Sequence, residues 1–225
     1  MKLVLFDCDG TLADSFGLIC EAMRKTFVMH GLAEPGDAAT RAIIGLSLDT
    51  AILRLHPTLP EGIMPSMVAG YRKNFRETRE TAEYHEALFP GIKPLLESLK
   101  ARDDVLLGLV TGKTRRGVKA IVAAQGLEGM FLAIRTADDC PSKPHPAMVL
   151  ECCAELGVDI SDTLVVGDAV YDVGMALAAG AEAVGVSWGA GTSDALLDAG
   201  ALRVVANVED LGHCLDDWLG GKPVE

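Results

Sequence analysis

Lys2-Leu-Val-Leu-Phe-Asp7-Cys-Asp9-Gly10-Thr11 runs through a short apolar stretch and stops abruptly at two carboxylates spaced i, i+2. An apolar run of this length, bounded by a turn residue, reads as a strand buried on both faces, as in parallel sheets. Acids just past its C-terminal end fall where open α/β sheets bind ligands, in the crevice outside the strand carboxyl ends. Gly10 lets the backbone turn sharply and bring its N–H groups close to an anion. Two acids at one strand end repel each other, and a hard divalent cation bound through oxygen would compensate them. Taken alone, the same residues also fit a strand followed by an acidic, solvated turn.

Beyond this strand the pattern turns helical. Ile19, Ala22, Met23, Thr26 and Phe27 recur at helical spacing, with Gly31 as a stop. Three further helices are predicted over 37–44, over Leu48–Leu55 with Ser47 as its cap, and over 65–84. No strand pattern occurs in this stretch. From residue 88 onward, strand and helix periods alternate. Helices are predicted over 92–102, Arg115–Gln125, 146–156, Val170–Ala179 and Val208–Leu219. Strands are predicted over Val105–Val110, 132–134, 163–166 and 183–186, with Val204-Val205 as a last one. Such alternation implies parallel crossovers. The expected fold is therefore α/β, a Rossmann-like doubly wound parallel sheet with an inserted all-helical unit. The expected division is a core of 1–14 and 86–225 with a helical cap of 15–85.

The 225 residues are 49% hydrophobic and 23% charged, ordinary for a globular chain able to bury a sizeable core. No run approaches a membrane span, and no secretory signal is visible at the start. Six cysteines without a C-x-x-C pair fit reduced thiols better than a disulfide framework. A cytoplasmic protein is expected. The formal charge of −12 argues against a nucleic-acid backbone or an anionic membrane as partner. Residues 15–85 hold eight Lys/Arg and eight Asp/Glu, so the whole excess lies outside the helical stretch.

Polar groups close three of the buried runs: Asp7, Thr111 and Asp168. In a parallel sheet these ends share one edge, so the groups can converge. Lys143 sits in a Pro-flanked loop, and Asp172 follows Asp168 by one helical turn. Phosphoryl transfer uses such a set: a carboxylate as acceptor, a second acid for proton transfer, and a cation, an ammonium and hydrogen-bond donors for the phosphoryl oxygens.

Asp7-Cys-Asp9-Gly10-Thr11, Thr111, Lys143 and Gly167-Asp168-(x)3-Asp172, in this order, resemble the signature motifs of the haloacid dehalogenase superfamily. The chain is most similar to its phosphoglycolate-phosphatase-like hydrolases with a small helical cap. The resemblance implies a Mg²⁺-dependent phosphomonoesterase that takes a small phosphate ester. It implies Asp7 as nucleophile and metal ligand, and Asp9 as general acid/base that binds the metal through its carbonyl. Thr111 with Gly10 and Gly112 would hold phosphoryl oxygens, Lys143 would neutralise Asp7 and the phosphate, Asp168 would bind metal, and Asp172 would act through water or on Lys143. Gly112 stands where similar enzymes carry Asn, and Arg115-Arg116 are added at a helix start, against its dipole. Either they are solvated or they face a substrate anion. Gly45-Leu46-Ser47 corresponds to a loop that dips towards the site in similar proteins. A sugar-phosphate mutase of the same superfamily is the alternative reading, and a receiver-type phospho-aspartate module a remote one.

Overall fold

The computed structural model describes residues 1–81, 83–84 and 86–221. Its centre is a parallel sheet of β1 (Lys2–Phe6), β4 (Val105–Val110), β5 (Ala133–Arg135), β6 (Thr163–Gly167), β7 (Glu182–Val186) and β8 (Arg203–Val205). The strand order is β5-β4-β1-β6-β7-β8. The chain builds outward from β1 through β4 to β5, then crosses back to β6 on the other side. β1 therefore lies at the topological switch point, the place where open α/β sheets form a ligand crevice. Phe6 is in register with both Leu109 of β4 and Val166 of β6, so Asp7 leaves the sheet at its centre.

The period of two along β1 explains its burial on both faces. Val4 and Phe6 enter one core, with Ile92 and Leu96 of α5 (Ile92–Lys100), Ile121 of α6 (Arg115–Gln125) and Leu215 of α10 (Val208–Leu219). Leu3 and Leu5 enter the opposite core, with Met148 of α7 (Ala147–Leu156), Val173 of α8 (Val170–Ala179) and Leu196 of α9 (Ser193–Asp198). The helix ends carry local signals. Thr114 accepts from the Gly117 N–H at the start of α6, and Gly126 closes that helix at φ 64°.

Between two very short strands, β2 (Ala13–Asp14) and β3 (Ala87–Leu88), lie four helices: α1 (Phe16–Met29), α2 (Asp37–Arg41), α3 (Leu48–Leu55) and α4 (Met64–Arg79). Met23, Phe27, Ile52 and Met67 form their shared core. β2 and β3 pair antiparallel, so the two crossings into and out of the helical stretch run side by side.

The expected helix over 65–84 starts at Met64 and stops at Arg79, since Thr78 and Thr81 close its end with a turn; Ala82 lies outside the described residues. Residues 42–44 form turns rather than extending α2, and the strand expected over 132–134 is shifted by one residue. The expected boundary at His85 also lies outside the described residues. All six cysteines are buried free thiols. Among the described residues no helix is long and apolar enough to cross a membrane.

Candidate active site

The carboxyl ends of β1 and β6 bring Asp7 and Asp168 together, and the first turn of α8 adds Asp172. One oxygen from each of the three lies within 4.8 Å of the others, and all three residues are buried. Lys143, 2% exposed, places its ammonium 2.6 Å from Asp7 Oδ1 and 2.6 Å from Asp172 Oδ1. Asp172 Oδ2 accepts from the Ala169 N–H at 3.0 Å, tying the carboxylate to its own helix start. Asp168 accepts from the Thr11 hydroxyl at 3.1 Å and from the Ala190 N–H at 2.7 Å. Asp7 Oδ2 is buried without a partner among the described residues. An unsatisfied buried carboxylate oxygen is costly and needs an explanation.

Three buried carboxylates against one ammonium leave excess negative charge away from water. Burial pushes Asp7 up to about 7, although the Lys143 ammonium pulls it back down. Burial, then the Asp172 and Asp7 carboxylates, holds Asp168 well above the ordinary range. Burial would lower Lys143, but Asp172 and Asp7 outweigh it and hold the ammonium charged. The donor set is all oxygen, hard and anionic, and Asp7 Oδ2, on one of its three residues, has no hydrogen-bond partner among the described residues. Those features fit a hard divalent cation.

Small residues make this packing possible. A Cβ on Gly10, which has φ 86°, would strike the Asp168 carboxylate, and one on Gly167 would strike Asp172. Thr111 is fully buried at the end of β4. Its N–H bonds the Arg135 carbonyl at 3.0 Å, and its hydroxyl accepts from the Lys113 N–H at 3.1 Å.

Asp9 faces a different neighbourhood. Lys113 Nζ lies 2.7 Å from its Oδ1 and 2.6 Å from Glu86 Oε1, and the Ser15 hydroxyl donates to the same Asp9 oxygen. Lys113 is buried, yet the Asp9 and Glu86 carboxylates outweigh that burial and hold it well above its ordinary value. Ser15 and Glu86 were not among the residues expected at the site. Both lie at the ends of the helical stretch: the turn in which the Leu12 and Ala13 N–H groups bond the Cys8 carbonyl brings Ser15 back to Asp9, and the pairing of β2 with β3 brings Glu86.

A cavity of about 370 Å³ opens beside Asp9, between the sheet and the helical stretch. Gly45 and Leu46 line it opposite Gly112, and a Cβ on Gly112 would meet the Leu46 carbonyl at 2.5 Å. The Ser47 N–H donates to the Ser142 hydroxyl at 2.9 Å, next to Lys143. The loop at 45–47 therefore does come down onto the strand ends. Of the two arginines at the start of α6, Arg115 pairs with Asp139, and Arg116 lines the cavity.

A parallel sheet with an acidic centre at its switch point and helices inserted behind the first strand places the chain among the Rossmann-like α/β proteins. The chain belongs to the haloacid dehalogenase-like hydrolase family, whose model matches residues 4–186. It is 37% identical over 198 residues to a protein of Dickeya dadantii named probable phosphatase IndB, covering 86% of this chain and 84% of that one. A phosphoglycolate phosphatase of Yersinia pestis is 30% identical over 210 residues, covering 92% and 90%. A hydrolase structure from Pseudomonas syringae superposes with a TM-score of 0.86 at 25% identity, over 96% of this chain and 99% of that one.

Proposed function

We propose that the protein is a Mg²⁺-dependent phosphomonoesterase that hydrolyses a small phosphorylated metabolite through a phosphoryl group carried on Asp7. Family membership and relatives named as phosphatases support the phosphatase class. The observation that carries the rest is the Asp7 carboxylate, fixed by Lys143 through one oxygen and left without a partner at the other.

In this reading Asp7 attacks the phosphorus and forms an acyl phosphate as the bond to the leaving oxygen breaks. Asp9 gives that oxygen a proton, so an alcohol departs. A water then loses a proton to Asp9 and attacks the phosphorus, breaking the bond to Asp7 and yielding inorganic phosphate. Lys113 and Ser15 fix the direction of the Asp9 carboxylate throughout. Lys143, the Thr111 hydroxyl and the N–H groups around Gly10 and Gly112 hold the phosphoryl oxygens. Asp7, Asp168 and the Asp9 carbonyl would hold Mg²⁺, with Asp172 acting on Lys143 and through an intervening water. When bound, the ion offsets the carboxylate charge and polarises the phosphoryl group.

Phosphate release from a panel of phosphorylated metabolites tests the reading. Release that depends on Mg²⁺ and stops in excess chelator is expected. Full turnover in chelator would contradict it.

A further inference from the structure

The cavity beside Asp9 carries more positive charge than the phosphoryl chemistry uses. Its lining holds five cationic residues against two acidic ones, in a chain whose formal charge is −12. Lys113 is already engaged by Asp9 and Glu86. Four arginines remain, and none of them has an acidic partner among the described residues: Arg72, Arg76 and Arg79 of α4, and Arg116 of α6. The first three are spaced i, i+4 and i+7, so they stand in one row on one face of α4. Arg76 and Arg79 lie in the last turn, where cations complement the helix dipole, but Arg72 stands a turn earlier. Arg116 is in the first turn of α6, where the dipole opposes it. Mutual repulsion and that dipole together favour an anion between the two helices. Much of the remaining lining is apolar, including Ile44 and Leu46 from the segment between α2 and α3 and Tyr71 and Phe75 from α4.

We propose that this cavity is a second anion subsite, so that the preferred substrate is a phosphomonoester whose leaving group has an apolar body and ends in its own carboxylate or phosphate. The volume, about 370 Å³, is of the size that holds a ligand well beyond a few-atom leaving group. Arg guanidinium groups suit such an end because their planar forks bond both oxygens of a carboxylate or phosphate. The two helices belong to different parts of the fold, so an anion held by both also draws the helical stretch onto the strand ends.

The proposal rests on the phosphomonoesterase reading, and three esters separate the two. Phenyl phosphate, 4-carboxyphenyl phosphate and 1,4-phenylene bisphosphate share an apolar ring and differ in the distal group. The wild type should favour one or both anionic esters over phenyl phosphate by at least about tenfold in kcat/KM, the scale of one charge-assisted hydrogen bond. The larger preference identifies the anion. In Arg72→Gln and Arg116→Gln that preference should fall towards parity. Hydrolysis of all three at equal kcat/KM, or a preference untouched in both variants, would overturn the subsite while leaving the phosphatase reading intact. Hydrolysis of none of them, nor of any metabolite in the wider panel, would overturn both.

Discussion

Lys143 donates to Asp7 over 2.6 Å with both side chains almost fully removed from water. The pair joins a loop after β5 to the end of β1. Lys143 also pairs with Asp172, and Asp168 completes the buried acidic cluster beside them. Lys143→Met leaves these acids without a counter-charge, and removing one partner of a buried pair typically costs ~3–5 kcal/mol. The cation-free variant should therefore melt well below wild type, and its turnover should vanish. A melting temperature equal to wild type in chelator would show that the ammonium does not stabilise the centre.

The raised Asp7 gives a pH signature. Its ordinary value is 3.8, and burial brings it to about 7 in the folded, cation-free chain. The folded state then holds this proton more tightly than the unfolded one. The contribution is fully present below 3.8 and is lost as pH rises to about 7. Asp7→Asn removes that dependence. In chelator, the stability difference between the two proteins should shift in favour of the variant as pH rises through this window, read by denaturant titration at several pH values. A difference independent of pH would contradict the burial account.

Lys113 holds Asp9 at 2.7 Å and Glu86 at 2.6 Å. Lys113→Met leaves both carboxylates without a counter-charge and leaves the Ser15 hydroxyl to hold the Asp9 carboxylate alone. Positioned proton transfer contributes ~10²–10⁴ in rate, so kcat should fall by a sizeable part of that range. Mg²⁺ affinity should change far less, because the Asp7, Asp168 and Asp172 cluster is untouched. Steady-state kinetics with Mg²⁺ titration checks both, and an unchanged kcat would remove Lys113 from the machinery.

Gly112 lies under the backbone of the 45–47 loop, and the atoms a Cβ would meet there are carbonyl oxygens, at 2.5 Å for Leu46 and 2.7 Å for Gly45. Backbone yields less readily than a flexible side chain, so Gly112→Val should lift this loop from the strand end. The expected outcome is a raised KM, with Asp7 and its cation site left in place. KM and Mg²⁺ dependence measured side by side check this, and a KM equal to wild type would mean that the loop need not close.

Much of this arrangement was legible in the chain because it depends on local pattern. The apolar runs ending at Asp7, Thr111 and Asp168 are strands for which burial and chemistry meet in consecutive residues, so β1, β4 and β6 could be read directly. Helices α3, α6, α8 and α10 were readable to the residue, since α3 ends ahead of a proline, α6 and α10 carry side-chain caps, and α8 stops at a glycine. The ribbon of β2 and β3 was not, as strands of two residues have no period to detect. With it went Glu86, which that pairing carries to Asp9, while Ser15 returns to Asp9 through the tight turn over residues 8–13. α9 escaped because it is six residues long with Leu196 as its single buried contact. Arg72, Arg76 and Arg79 carry no local signal that sets them apart from other charged helix residues, and their meaning depends on Arg116, which only the tertiary fold brings to the same cavity.

Whether the phosphoryl group passes through Asp7 can be measured directly. The enzyme with Mg²⁺ is mixed with a radiophosphate-labelled ester it hydrolyses, quenched in acid before the first turnover ends, and split into peptides. The label should appear on the peptide bearing Asp7, and borohydride should convert that residue, and not Asp9, Asp168 or Asp172, to homoserine. Hydrolysis at the usual rate with no label on the protein, or label on another residue, would contradict the account.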